Sequence, residues 1–286
     1  MLVAAFTLCW AVVEVIGPAT HVSSYQVVWT RYAVHLAFML LVFGPRHGKN
    51  LVQTAQPGRQ VVASLLMLGM PLTFIWALQR MSMDDASSVL WLTPAMIVGI
   101  SAAIRWPYGG IKTLIATAIG FAGAVLIYPP DGGLFRRATI LPLAAAVCLA
   151  LYFVAVRSMS REKIVTKLFH TALWVWAALT LGLPTFWKTP TIRGMVAMSA
   201  IGLLGWVGLL ALDLAIEAMP VAELAPVLYT QLVWGIILAR LFGQVTPDRR
   251  AVVGVALAAA AALPALMRRS ARAAADEGAE VRAVTA

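Results

Sequence analysis

The chain has 286 residues, of which 61% are apolar (AVILMFWYC) and only 12% charged, against about 45–50% and about 25% in soluble domains. Its 22 basic and 12 acidic side chains cannot solvate that apolar inventory, which excludes a soluble globular enzyme, a disordered chain and a disulfide scaffold. The net charge of +10 is scattered in ones and twos between apolar runs, the pattern of membrane-protein loops and not of a nucleic-acid footprint.

A helix needs about 20 mostly apolar residues to cross a bilayer. Ten such spans are predicted, at about 2–20, 25–43, 60–79, 86–104, 112–128, 139–157, 168–186, 195–216, 222–241 and 250–267. Connections between them are short, so no soluble domain fits. The first span lacks a basic leader region and a clear cleavage site, and is read as a retained helix. Cys9 and Cys148 lie inside apolar runs and read as small core residues, not as a disulfide or metal pair. Residues 268–286, rich in Ala, Arg and acids, read as a cytoplasmic tail. With the N-terminus inside, thirteen loop Lys/Arg fall on the inner side and seven on the outer. That bias predicts both termini in the cytoplasm of a multi-pass inner-membrane protein.

Self-comparison adds an internal repeat. Ser88-Val89-Leu90-Trp91 aligns with Pro226-Val227-Leu228-Tyr229 at an offset of 138, which also places Ala77 on Ala215 and Met81 on Met219. An offset of 139 places Cys9 on Cys148, Ala11 on Ala150 and Pro45 on Pro184. The expected fold is therefore all-α and membrane-embedded, with ten transmembrane helices in two five-helix units, 1–130 and 138–267. Five is odd, so the second unit lies inverted, an arrangement that suits secondary transport with substrate held between the halves.

This layout, with Cys9-Trp10-Ala11 in the first span and Tyr25 to Tyr32 entering the second, resembles the drug/metabolite transporter superfamily, specifically its EamA-type members. The stretches Ala86–Pro94 and Ala222–Gln231 fit the same resemblance, which covers all but the C-terminal tail. Such proteins often carry Gly-Glu after the fourth and ninth helices, where this chain has Arg105-Trp106 and Gly243-Gln244. No role for that acid carries over.

Glu14 is the leading functional candidate, because a carboxylate inside a span must be protonated, paired or wetted. Glu14-Val15-Ile16-Gly17 is similar to the first helix of the small multidrug resistance family. That resemblance implies a shared site for protons and cationic substrate, where loading one expels the other. The alternative is a structural Glu paired with Arg31 or His35; the repeat sets Phe153 opposite it. Arg31 and His35, four apart, share a helix face. Arg31 either snorkels to the interface or serves as a charge partner, and His170 is its repeat counterpart. His35 either titrates or bonds a backbone carbonyl.

Trp91 and Thr93 correspond to Tyr229 and Gln231, an aromatic and a polar group two apart in both halves. Pro94 and Pro226 interrupt their helices at related heights. Together with Trp10 and Trp76 these four side chains are the expected cavity wall, able to hold flat or cationic groups, or else packing and lipid-facing bulk. Trp29, Trp106 and Trp187 read as interfacial belt. Asp213 and Glu217, four apart, and Glu223 read as an acidic helix end that either attracts cations or is solvated. Glu217 and Glu223 read as solvated, with Asp213 one turn deeper as a charge partner beside Arg31 and His170. The runs Gly120–Gly123 and Ala256–Ala262 permit close helix contact.

No metal cluster, cofactor motif or catalytic constellation is present in the sequence. The function expected is alternating-access export of a small organic metabolite or drug-like molecule, coupled to protons through Glu14. The alternatives are a facilitator of amino acids or related metabolites driven by their own gradient, and a non-transporting membrane protein or membrane-embedded enzyme. The partners expected are a small-molecule substrate, the lipid bilayer and protons, with no nucleic acid, in a monomer or homodimer.

Overall fold

The computed structural model describes residues 2–16, 22–107, 109–130, 137–242, 247–265 and 267, and holds helices but no strand among them. Its elements are α1 (Leu2–Ile16), α2 (Ser24–Val42), the short α3 (Gly44–His47), α4 (Pro57–Leu78), α5 (Met83–Leu90) and α6 (Thr93–Ala103). There follow α7 (Gly110–Ile127), α8 (Ile140–Ser158), α9 (Ile164–Phe186), α10 (Ile192–Ala218), α11 (Val221–Leu228) and α12 (Thr230–Leu241). A last helix, α13, covers residues 249–265. Eight helical segments are long and apolar enough to cross a membrane, the pairs α5–α6 and α11–α12 each counting as one. The chain is an all-α, multi-pass membrane protein. The predicted tail at 268–286 lies outside the described residues.

The helix starts follow from local chemistry. Ser23, Ser82 and Thr191 each accept a hydrogen bond from the backbone N–H three residues on, at 3.2, 3.1 and 3.1 Å, which satisfies one of the four orphan donors of a helix N-terminus. Asp248 does the same for α13, accepting from the N–H of Ala251 at 2.8 Å. Pro57 and Pro94 sit in the first turns of α4 and α6, where a missing N–H costs nothing.

Two of the predicted spans are each divided into two helices. The fourth divides at Trp91–Leu92 and the ninth at Tyr229. Proline cannot donate to the carbonyl four residues back, so Pro94 frees the carbonyl of Leu90; Pro226 lies inside α11, three residues before the second break.

Packing partners recur in exchanged pairs. The helix α4 lies against α8 as α1 lies against α10, and α2 meets α10 as α9 meets α4. Likewise α1 packs on α11 and α12, while α8 packs on α5 and α6. The pairs α2–α9 and α6–α11 close the centre. The same exchange reaches single side chains. A Cβ added at Gly208 would meet Cys9 Cβ at 3.3 Å, and one at Gly69 would meet Cys148 Sγ at 2.8 Å. An offset of 139 relates both the cysteines and the glycines of these contacts.

Glycine also sets the α7–α13 contact. A Cβ at Gly254 would lie 2.6 Å from the carbonyl oxygen of Gly123, and one at Gly123 would lie 2.6 Å from that of Gly254. Backbone on both sides cannot yield. We therefore expect Gly123→Val and Gly254→Val each to destabilise the protein by about 1–3 kcal/mol, read as a lowered melting temperature in detergent. Gly99→Ala, whose added Cβ meets nothing within 4 Å, should leave it unchanged.

Candidate functional site

The two helix breaks face one cavity of about 840 Å³. Inside the bundle its wall includes Phe6, Arg31, Met67, Met70, Phe153 and Leu212; at its mouth stand Met83, Asp84, Tyr128, Asp248 and Arg250. The aromatic and methionine side chains give a polarisable apolar surface, and Arg31 is the most buried charged group of the wall among the described residues.

The breaks themselves are built alike. At the first, Thr93 Oγ1 donates to the carbonyl of Leu90 at 2.7 Å; at the second, Thr230 Oγ1 donates to that of Val227 at 2.7 Å. The two are joined by Tyr229, whose hydroxyl donates to the carbonyl of Trp91 at 3.1 Å while the two rings lie 5.7 Å apart. Tyr229 is seated on Gly120 of α7, where a Cβ would approach its ring to 2.1 Å. Thr7 of α1 shares a 3.2 Å hydrogen bond with Thr230, which ties the second break to the first helix.

Of the expected wall, Trp91, Thr93 and Gln231 line the cavity, and Tyr229 stands behind Trp91 as its buried support. Trp76 does not line it: the side chain is 45% exposed on the outside of α4. His35 is buried on α2 away from the wall, with no partner at Nε2. The backbone of Trp10 and Glu14 lies in α1, one and two turns beyond the wall residue Phe6. Their side chains lie outside the described residues. Phe153, set opposite Glu14 by the repeat, is in the wall.

Arg31 departs from the snorkelling alternative. It is only 7% exposed and lies along α10, where a Cβ at Gly205 would meet its Nε at 2.4 Å. The missing side chain of Gly205 is what gives Arg31 its slot. His170, its repeat counterpart, lies outside the wall and shares a 2.9 Å hydrogen bond with the carbonyl of Val52.

The far end of the bundle is sealed by polar contacts. Glu162 accepts from Thr54 Oγ1 and from the N–H of Ala55 at 3.1 and 2.8 Å. Arg157 donates to the carbonyls of Ile216 and Glu217 at 2.8 and 2.9 Å, where a cation complements a helix C-terminus. Lys167, 1% exposed, pairs with Glu217. The solvated acidic end expected at Glu217 and Glu223 is thus corrected. Lys167 enters from α9 to neutralise Glu217, and Glu223 is buried at 6%.

Comparison with known proteins agrees with this architecture. No protein-family model matches the chain. An uncharacterized transporter of Helicobacter pylori (strain J99) is 24% identical over 82% of this chain and 84% of its own. The S-adenosylmethionine uptake transporter of Rickettsia bellii is 22% identical over 83% and 82%, and that of Rickettsia prowazekii 22% over 87% and 88%. A solved crystal structure superimposes with a TM-score of 0.80 at 20% identity, covering 93% of this chain and 96% of that one. Fold, cavity and relatives place the chain among membrane transporters, which take a small molecule as substrate, and not among enzymes.

Removing the Tyr229 hydroxyl leaves the Trp91 carbonyl without its donor inside the bundle. Tyr229→Phe should cost about 0.5–1.5 kcal/mol and lower the melting temperature. Gly120→Val, which drives a side chain into the Tyr229 ring, should cost more and quench or shift the fluorescence of Trp91.

Proposed function

We propose that this chain is a secondary transporter of the drug/metabolite type, which moves a small organic molecule across the inner membrane by alternating access. Its moving parts are two inverted five-helix halves, residues 1–130 and 138–267. The observation that carries this reading is the cavity of about 840 Å³ at two helix breaks joined by Tyr229 and Trp91. Discontinuous helices meeting at a repeat interface are where transporters hold substrate. The exchanged packing pairs and the matched Cys9–Gly208 and Cys148–Gly69 contacts support two related halves. Two such halves offer two packings of similar energy, one open to each side.

In this reading Trp91, Thr93 and Gln231 contact the substrate, Arg31 sets the charge of the wall, and Glu14 couples transport to protons during export. A carboxylate cannot hold a proton and a cation together, so proton entry at Glu14 expels a cationic substrate. With both termini cytoplasmic, the cavity mouth at Asp84, Tyr128 and Asp248 faces outward.

A second reading reverses the direction, because relatives are named S-adenosylmethionine uptake transporters. That solute joins a flat purine, a sulfonium cation and an amino-acid end. Trp91 suits the purine, Arg31 the carboxylate, and Asp84 and Asp248 at the mouth attract the cation.

Labelled S-adenosylmethionine and a panel of cationic drugs, each offered to proteoliposomes with and without a pH gradient, separate these readings. Export coupled to protons predicts gradient-driven flux that Glu14→Gln reduces at least tenfold. Flux that survives both Glu14→Gln and collapse of the gradient would leave a facilitator. S-adenosylmethionine flux lost in Trp91→Ala and Arg31→Gln favours uptake, and no flux of any solute through folded protein overturns transport itself.

A further inference from the structure

Asp213 of α10 is wholly buried, at 0% exposure. It lies directly after Leu212 and one turn beyond Leu209, both of which line the cavity. One carboxyl oxygen, Oδ1, accepts a hydrogen bond from the Tyr152 hydroxyl at 3.1 Å; the other, Oδ2, has no partner. An ionised carboxylate in that position is heavily penalised. The cation that would relieve it, Lys167, is engaged by Glu217, the next acid along the same face of α10.

Among the described residues no donor meets Oδ2. Besides Glu217 and Arg193 of α10 itself, the charged and titratable groups on helices packed against it are Cys148, Tyr152 and Arg157 of α8 and Lys167 and His170 of α9. To these α2 adds Tyr25, Arg31, Tyr32 and His35, α11 adds Glu223, and α1 carries Cys9 and Glu14. Arg157 is committed to the carbonyls that end α10, and His170 to the carbonyl of Val52. The Lys167 charge acts on both acids, which lie one helical turn apart, and its ammonium is bonded to Glu217 here.

We propose that Asp213 is a proton-binding site of this protein, loaded while the far end of the bundle is closed and emptied when that end opens. In the closed state the proton sits on Oδ2 and the carboxyl group is neutral. Opening that end parts Lys167 from Glu217, and water then takes up the Glu217 charge. The Asp213 O–H bond breaks, its electron pair stays on Oδ2, the proton passes to water on that face, and the Lys167 ammonium turns to the new carboxylate. The inference rests on the alternating-access reading for its opening step, but not on Glu14 or on the identity of the substrate.

Infrared titration of the purified protein tests it without any substrate. The wild type should show a protonated-carboxyl C=O band near neutral pH that Asp213→Asn removes and Glu14→Gln retains. Asparagine matches the neutral carboxyl in shape and keeps the acceptor for Tyr152; should that variant fail to fold, Asp213→Glu should move the band in frequency. Lys167→Gln leaves two acids without their cation, so the band should persist to a pH at least one unit higher, a tenfold change in proton affinity. A spectrum with no band sensitive to position 213, or a titration that Lys167→Gln does not move, overturns the proposal. An Asp213 band in protein that carries no solute leaves the proton site standing and removes the transport reading; flux without that band does the reverse.

Discussion

The constraint on which the structure depends is that no backbone polar group can be left unpaired inside a bilayer. Continuous helices meet it automatically, and this chain breaks two of them within the bundle. Each break exposes carbonyls, and each is repaired by a threonine bonding back three residues, Thr93 to Leu90 and Thr230 to Val227. The Trp91 carbonyl is reached from the other break by Tyr229. The second break therefore satisfies part of the first, and it can do so only if α6 and α11 stay together at the centre. The cavity is the space beside that repair, and Trp91, Thr93 and Gln231 line it there.

Close approach elsewhere comes from absent side chains. Apolar surface gives no net drive for helices to associate in lipid, so contact quality decides which helices pair. Gly205 admits the Arg31 side chain, Gly208 admits Cys9, and Gly123 and Gly254 bring two backbones together. Without the slot at Gly205, a guanidinium could not lie in the bundle wall beside the cavity. Packing on α10 thus fixes an electrostatic property of the site, which links the glycine positions to the chemistry of the wall.

Much of this was legible in the sequence. Uncharged runs marked the spans, and the offset of 138 joined Trp91 to Tyr229, the pair that meets at the breaks. Pro94 announced the first interruption because its missing N–H is a local property. What stayed hidden was long-range or rotational. Spans that are apolar all round carry no face signal, so Trp76 read as a wall residue although it points out of the bundle. Arg31, counted in turns from the start of its span, read as either an interfacial residue or a charge partner, since nothing in its own helix reveals Gly205. Lys167 and Glu217, 50 residues apart on different helices, gave no hint of pairing.

The two ends of the bundle differ in what opening would require. Separating an apolar seal exposes surface at about 25 cal/mol per Å², and the cost grows with every residue parted. At the far end, beside buried Leu51, Met159, Leu168, Ile216 and Val221, stand polar contacts: Glu162 on Thr54 and Ala55, Arg157 on two carbonyls and Lys167 on Glu217. Water can replace each of these partners, so each contributes only about 0.5–1.5 kcal/mol net, or up to about 3 where a charge is involved. A seal of that kind holds its geometry while remaining reversible. It also makes opening sensitive to charge, because a proton gained or lost within it changes which partners must be left behind. In a chain with so few ionisable groups in its spans, those that remain collect at the closed end and in the cavity wall, so a change of charge there acts on the contacts that any opening must part.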